Sequence, residues 1–169
     1  MPATPLPPRF VAHLVATVTC TVEHGMMDGD RADVVETDVA FEAHVDGATV
    51  RVVGFPEIAS EVGTAIGRVR AEVRLYGEPE GIYDAATGHA AVDAALAFDP
   101  SSFLASTSRV TLRLATDARL ADPKAAGNAL DAADDHVALV GEGTFDGGSL
   151  DGGRLGLVIA CRIERVEAR

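Results

Sequence analysis

A chain of 169 residues that is 47% hydrophobic and 24% charged can bury a core within one domain, and its composition is neither disordered nor membrane-like. Its net charge of −12 argues against nucleic acid and anionic lipid as partners, because both reward a basic surface. Two cysteines are too few for a disulfide framework or a thiolate zinc site, and no apolar run approaches the ~20 residues of a membrane-spanning helix.

The first nine residues, Met1-Pro-Ala-Thr-Pro-Leu-Pro-Pro-Arg9, are proline-rich and lack the apolar stretch of a secretory signal. They read as an extended arm (1–9) ahead of a single domain (10–169), and the protein is expected to be cytoplasmic. From Phe10 the pattern becomes strict. Phe10, Ala12, Leu14, Ala16, Val18, Cys20 and Val22 fall on one face, and Val11, His13, Val15, Thr17, Thr19, Thr21 and Glu23 on the other. Period-two alternation of this length marks a half-buried β-strand, since successive side chains point to opposite sides of a sheet.

The same register recurs along the chain. A loop rich in turn formers, His24–Arg31, precedes a strand from Thr37 to Val45 with Val39, Phe41, Ala43 and Val45 inward. Asp46-Gly47 then signals a hairpin into a strand with Val50 and Val52 inward. Phe55–Gly63 breaks the pattern and is predicted to form a short helix, with Pro56 in its first turn and Ile58 and Val62 on one face. Gly67–Tyr76 turns Val69, Ala71, Val73 and Leu75 inward. After a turn at Tyr83–Gly88, His89–Phe98 does so with Ala90, Val92, Ala94, Leu96 and Phe98. Thr107–Thr116 buries Val110, Leu112 and Leu114, and Asp122–Ala133 is predicted as a second short helix. The last pair, Val137–Phe145 and Leu155–Arg165, is joined by a glycine-rich turn.

Many short strands, short connections and little helical period predict an all-β fold. The reading is an antiparallel β-barrel of about eight strands with one or two short helices, and a two-sheet β-sandwich is the alternative. Pairing of the first and last strands would remove two exposed edges and bring Cys20 and Cys161 near one another. Both cysteines read as free, buried thiols.

The inward faces carry little chemistry. They are light in side-chain volume, with Ala12, Ala16, Ala43, Ala71, Ala90 and Ala94 among larger residues. Small inward side chains leave room for an apolar ligand inside a barrel, and Phe41 and Phe98 would join those alanines in its wall. Four of the five histidines lie on the polar register and His24 lies in a loop, which predicts dispersed, solvent-facing imidazoles. The one constellation to check is His44 with Glu42 and Asp38 on a single strand face.

Acidic groups at Asp28/Asp30/Asp33, Asp131/Asp134/Asp135 and Asp146/Asp151 lack calcium-loop spacing and read as turn chemistry. Gly141-x-Gly143 reads as hairpin glycine rather than a dinucleotide loop. No metal and no cofactor is expected. Arg51, Arg68, Arg70, Arg74, Arg109 and Arg113 sit on outward faces and form a candidate band for an anion or for another subunit. Apolar outward positions (Ala91, Ala95, Ala97, Val158 and Ala160) suggest an overlying loop or self-association.

The leading expectation is a soluble barrel that binds a small apolar molecule in its interior, without identifiable catalytic residues. A cofactor-free barrel enzyme of the isomerase or cyclase type and a structural, self-associating homo-oligomer are the alternatives.

Overall fold

Alternation obliges each segment to find a partner on both edges, and the chain meets that demand by winding up and down into a closed sheet. The computed structural model describes residues 7–86, 88–100, 105–116 and 136–169. Its strands are β1 (Arg9–Glu23), β2 (Arg31–Asp46), β3 (Thr49–Val53), β4 (Ile58–Thr64), β5 (Gly67–Leu75), β6 (Glu80–Tyr83), β7 (Ala90–Pro100), β8 (Ser108–Thr116), β9 (His136–Thr144) and β10 (Arg154–Ala168). Every ladder is antiparallel, and the sheet order β4-β5-β7-β6-β3-β2-β1-β10-β9-β8 closes through β7–β8. The barrel reading therefore holds over the sandwich. Residues 1–6 of the expected arm lie outside the described residues; Pro8 already accepts a hydrogen bond from Gly47 N at 2.7 Å.

The closed barrel has eight staves, because β3/β4 and β6/β5 are each one stave broken in the middle. β3 pairs with β2 and β6, whereas β4 pairs with β5, and β7 takes β6 along its first half and β5 along its second. A bulge in β2 lies where β3 gives way to β4: Ala16 faces Val39 but Val18 faces Glu36, and Asp38 takes φ 57°. The bulge bends β2 away from its neighbour. No ladder joins β2 to β4; the Glu36 carboxylate accepts the Ala59 N–H at 3.4 Å instead.

The helix predicted over Phe55–Gly63 is not formed. Ile58–Thr64 is strand β4, with Ile58 and Val62 buried against β5. A spacing of four places both residues on one face in either conformation, so the pair could not distinguish helix from strand. Among the described residues the helical content is a single 3₁₀ turn at Asp28–Asp30. The second predicted helix, 122–133, lies outside them.

Inward positions match the expected register on every stave, and the barrel surrounds one apolar cluster. The end reached by Glu23, Thr64 and Pro100 is filled: Phe98 stacks edge-on against Phe145 at 6.1 Å, and Met27 and Leu150 are buried beside them. Leu150 is held there by its N–H to the fully buried Ser108 Oγ at 2.9 Å. Gly141 and Gly143 lie within β9 on the inward register rather than in a hairpin. They permit β8 to crowd β9. A Cβ on Gly141 would stand 2.5 Å from the Arg113 carbonyl oxygen, and one on Gly143 would stand 2.8 Å from that of Thr111.

Gly141→Ala should therefore destabilise the fold by about 1–3 kcal/mol, whereas Gly156→Ala, whose nearest neighbour atom would be 4.0 Å away, should stay within about 0.5 kcal/mol of the parent. Urea midpoints of the two variants check the contrast; equal losses would show that the close approach at β8 is not what requires glycine.

Candidate functional site

At the opposite end the described residues leave the interior of the barrel unfilled. Here β1 begins, β2 ends, and Phe10, Val45, Val50, Tyr83, Ala90 and Thr116 form the rim. Below the rim lies an apolar cavity of about 110 Å³. Its floor and walls come from Ala12, Leu14, Phe41, Ala43, Val52 and Val92 on one side and Val137, Leu139, Cys161 and Ile163 on the other. The cavity exists where the local register sets small side chains opposite one another: Ala12 faces Ala43 across β1–β2, and both line it.

Of the residues expected in an interior ligand wall, Ala12, Phe41, Ala43 and Ala90 line this cavity. Ala71, Ala94 and Phe98 are buried elsewhere in the core, and Ala16 borders a groove on the outer side of β1, β9 and β10. Tyr83, expected in a turn, also lines the cavity. It ends the four-residue strand β6, on the inward side because its neighbour Ile82 is exposed. Its ring meets Phe10 edge-on at 5.8 Å.

Among the described residues three cavity-lining side chains carry a polar group, and two of them are occupied. The Cys161 thiol points to Ile159 O at 3.5 Å, and Thr116 Oγ1 accepts from Ala90 N at 3.2 Å and lies 2.8 Å from His89 Nδ1. The Tyr83 hydroxyl has no hydrogen-bond partner among the described residues. Burial raises its pKa above the ordinary phenol value, and the charge of Asp84 adds to the effect, so it stays a protonated donor.

Burial pushes both thiols up to about 12, with Asp33 adding to the effect at Cys20, so neither supplies a thiolate near neutrality. Strand closure does not bring them together. Cys20 faces Leu157 and Cys161 faces Ala16, an offset of roughly 13 Å at ~3.3 Å per residue, and both are free.

Outside the barrel, the histidines are less dispersed than their scatter in the chain suggested. β1–β2 pairing sets His13 opposite Glu42. Glu42 Oε2 lies 2.7 Å from His44 Nε2, its Oε1 lies 3.5 Å from His13 Nδ1, and Glu167 closes on His13 Nε2 at 3.4 Å. Asp38, beyond the bulge, is exposed and does not join the cluster. The signal that could have found His13 was the hairpin register, which follows once both inward faces are aligned. Among the described residues, no group of three or more His, Cys, Asp or Glu is placed to hold a metal ion.

The outward arginines are engaged one by one rather than pooled. Arg51 meets Glu78 at 3.2 Å, Arg68 meets Glu61 at 3.6 Å, Arg70 meets Glu72 at 3.5 Å and Arg74 meets Asp99 at 3.7 Å, while Arg113 stands opposite Asp93. Arg74 and Arg109 also flank the Tyr76 ring, at 5.8 and 5.1 Å from its centroid. Both arginines neighbour Ala97 in register, and this outward alanine is fully buried. A larger outer groove of about 690 Å³ touches Arg9, Arg51 and His44, but Arg9 is already paired with Asp46 at 3.0 Å.

The fold and cavity together define an eight-staved, up-and-down antiparallel β-barrel with one filled end and, among the described residues, one hollow, apolar end. No protein-family model matches this chain, and no curated protein or solved structure matches it either.

The hydrogen bond from His44 is the main cause that holds the Glu42 carboxyl below its ordinary value; desolvation opposes it, and the charges of His13, His44 and Arg169 add smaller lowering effects. Its pairing favours the folded state while the carboxyl is ionised and is lost as pH falls through that depressed midpoint. His44→Ala should return the midpoint toward the ordinary carboxylate range, read by carboxyl-carbon NMR titration; an unmoved midpoint would remove His44 as the cause.

Proposed function

We propose that this protein is a binding module for a small apolar molecule seated in the hollow end of the barrel. The observation that carries this reading is the contrast between the two ends. The same alternating strands that are filled by Phe98, Phe145, Leu150 and Met27 at one end leave about 110 Å³ of apolar space at the other. At ~24 cal/mol per Å³, contacts missing from such a space are worth about 2–3 kcal/mol. A ligand supplies them. The volume is near that of the ~150 Å³ apolar cavity able to hold benzene and well below that of a drug-sized pocket, which restricts the occupant to a single small ring or short branched chain.

The test uses methylenecyclohexane as the probe, followed by line broadening and shift of its proton resonances and by the thermal midpoint of the protein. Saturable binding that raises the midpoint with concentration is expected. Ala43→Ile, which adds side-chain volume within the cavity, should abolish probe binding while keeping the fold. Binding that survives this substitution would move the ligand elsewhere, and no binding to the parent would end the reading.

A second reading, self-association, rests on the outer face of β1, β10 and β9. Thr17, Ala160 and Ala138 share one row, and Val35, Thr19, Val158 and Val140 share the next. No charge interrupts either row on these strands, although charged residues are 24% of the chain. Sedimentation equilibrium should give a mass above that of one chain for the parent and a lower mass for Val158→Arg; a parent that remains monomeric at high concentration excludes it.

A further inference from the structure

Resting on the binding reading above, we infer that Tyr83 is the polar anchor of the cavity, and that the ligand is a small apolar ring or branched chain carrying one uncharged hydrogen-bond acceptor, such as a ketone, aldehyde or ether oxygen. The inference follows by exclusion among the groups that line the space. Wall backbone at Ala43, Val52 and Val92 is committed to ladders, as at Val52–Ala43 and Val92–Leu114. Thr116 is held by Ala90 N and His89, and the Cys161 thiol by Ile159 O. Tyr83 alone among the polar lining side chains has a hydroxyl without a hydrogen-bond partner among the described residues.

Position supports the same role. Tyr83 lies at the rim, where the inward face of β6 meets the mouth, with its ring packed on one side and its backbone anchored. Phe10 packs edge-on at 5.8 Å, and the Tyr83 N–H is tied to Ala48 O at 2.8 Å. A ring placed in the apolar part of the cavity against Phe41, Ala43 and Leu139 would therefore direct a substituent toward the mouth and the phenol.

The chemistry of the acceptor is also constrained. The phenol donates a proton, so the ligand atom it meets must accept one. Among the described residues no cationic side chain lines the cavity, and Asp84 follows Tyr83 in the chain, so a carboxylate or phosphate would be desolvated without compensation. A cationic ligand would lose its hydration in an apolar wall with no anion lining it. A neutral acceptor meets neither penalty.

Two probes of nearly the same shape separate this inference from the reading beneath it: cyclohexanone and methylenecyclohexane, which differ by an oxygen in place of a CH₂ group. Their affinities for the parent, Tyr83→Phe and Thr116→Val are measured by NMR titration. Tyr83→Phe should weaken cyclohexanone about three- to tenfold, the worth of one neutral hydrogen bond, and leave methylenecyclohexane within about twofold. Thr116→Val should show no such selectivity. Equal effects of Tyr83→Phe on both probes, or none on either, overturn Tyr83 as anchor while the cavity reading stands. A selective loss in Thr116→Val assigns the anchor to Thr116 and likewise overturns it. Failure of methylenecyclohexane to bind the parent removes the cavity reading and this inference with it.

Discussion

The pairing of β1 with β10 is the constraint on which the rest of the molecule depends. The two strands are the first and last staves, and their ladder runs from Phe10–Ala168 to Glu23–Arg154 with one bulge between His13 and Leu14. An antiparallel sheet that did not close there would leave two long strand edges with unpaired backbone groups. Closure satisfies them and converts a two-faced sheet into an inside and an outside. Each inward residue of β1 is then flanked on both sides by inward residues, as Val18 is by Ile159 and Glu36 and Cys20 by Leu157 and Val34.

Once the sheet closes, side-chain volume decides what the interior becomes. Where the staves present Phe98, Leu114, Ile58 and Val22, and the 145–153 loop adds Phe145 and Leu150, the core is continuous. Where they present Ala12, Ala43 and Ala90, the walls do not meet. The distinction is a matter of a few methylene groups per layer, which is the scale on which protein interiors respond to volume. A barrel cannot shrink locally to close such a gap, because strand spacing is set by the hydrogen-bond ladder rather than by the side chains.

The polar chemistry is displaced outward and largely spent on itself. Glu42 bridges His13 and His44, and the arginines of β3 and β5 each find a neighbouring acid. Exposed pairs of this kind contribute at most about 1 kcal/mol each, so they shape the surface more than they hold the fold. The carboxylate of Glu36 is different in position: it lies on the inward register opposite Val18 and caps a backbone donor at the unladdered β2–β4 seam. Its presence there follows from the bulge at Asp38, which leaves β4 without a strand partner on that side.

By itself the sequence determined eight of the ten described strands, their inward faces, the antiparallel class and the apolar character of the interior, because period-two alternation is a local property that closure only confirms. Phe10–Val22 and Leu155–Ile163 are read correctly from residue types alone. It could not distinguish Ile58 and Val62 on a strand from the same pair on a helix, nor see that the short run Glu80–Tyr83 is a strand, because four residues hold too little pattern. Which alanines border empty space and which are packed was likewise beyond it: Ala43 and Ala94 look identical in register, yet one lines the cavity and the other is enclosed. That difference, like the meeting of His13 with Glu42 and the inward turn of Tyr83, depends on what stands across the barrel and on neighbouring staves. Such neighbours are distant in the chain and are set only when the sheet has closed.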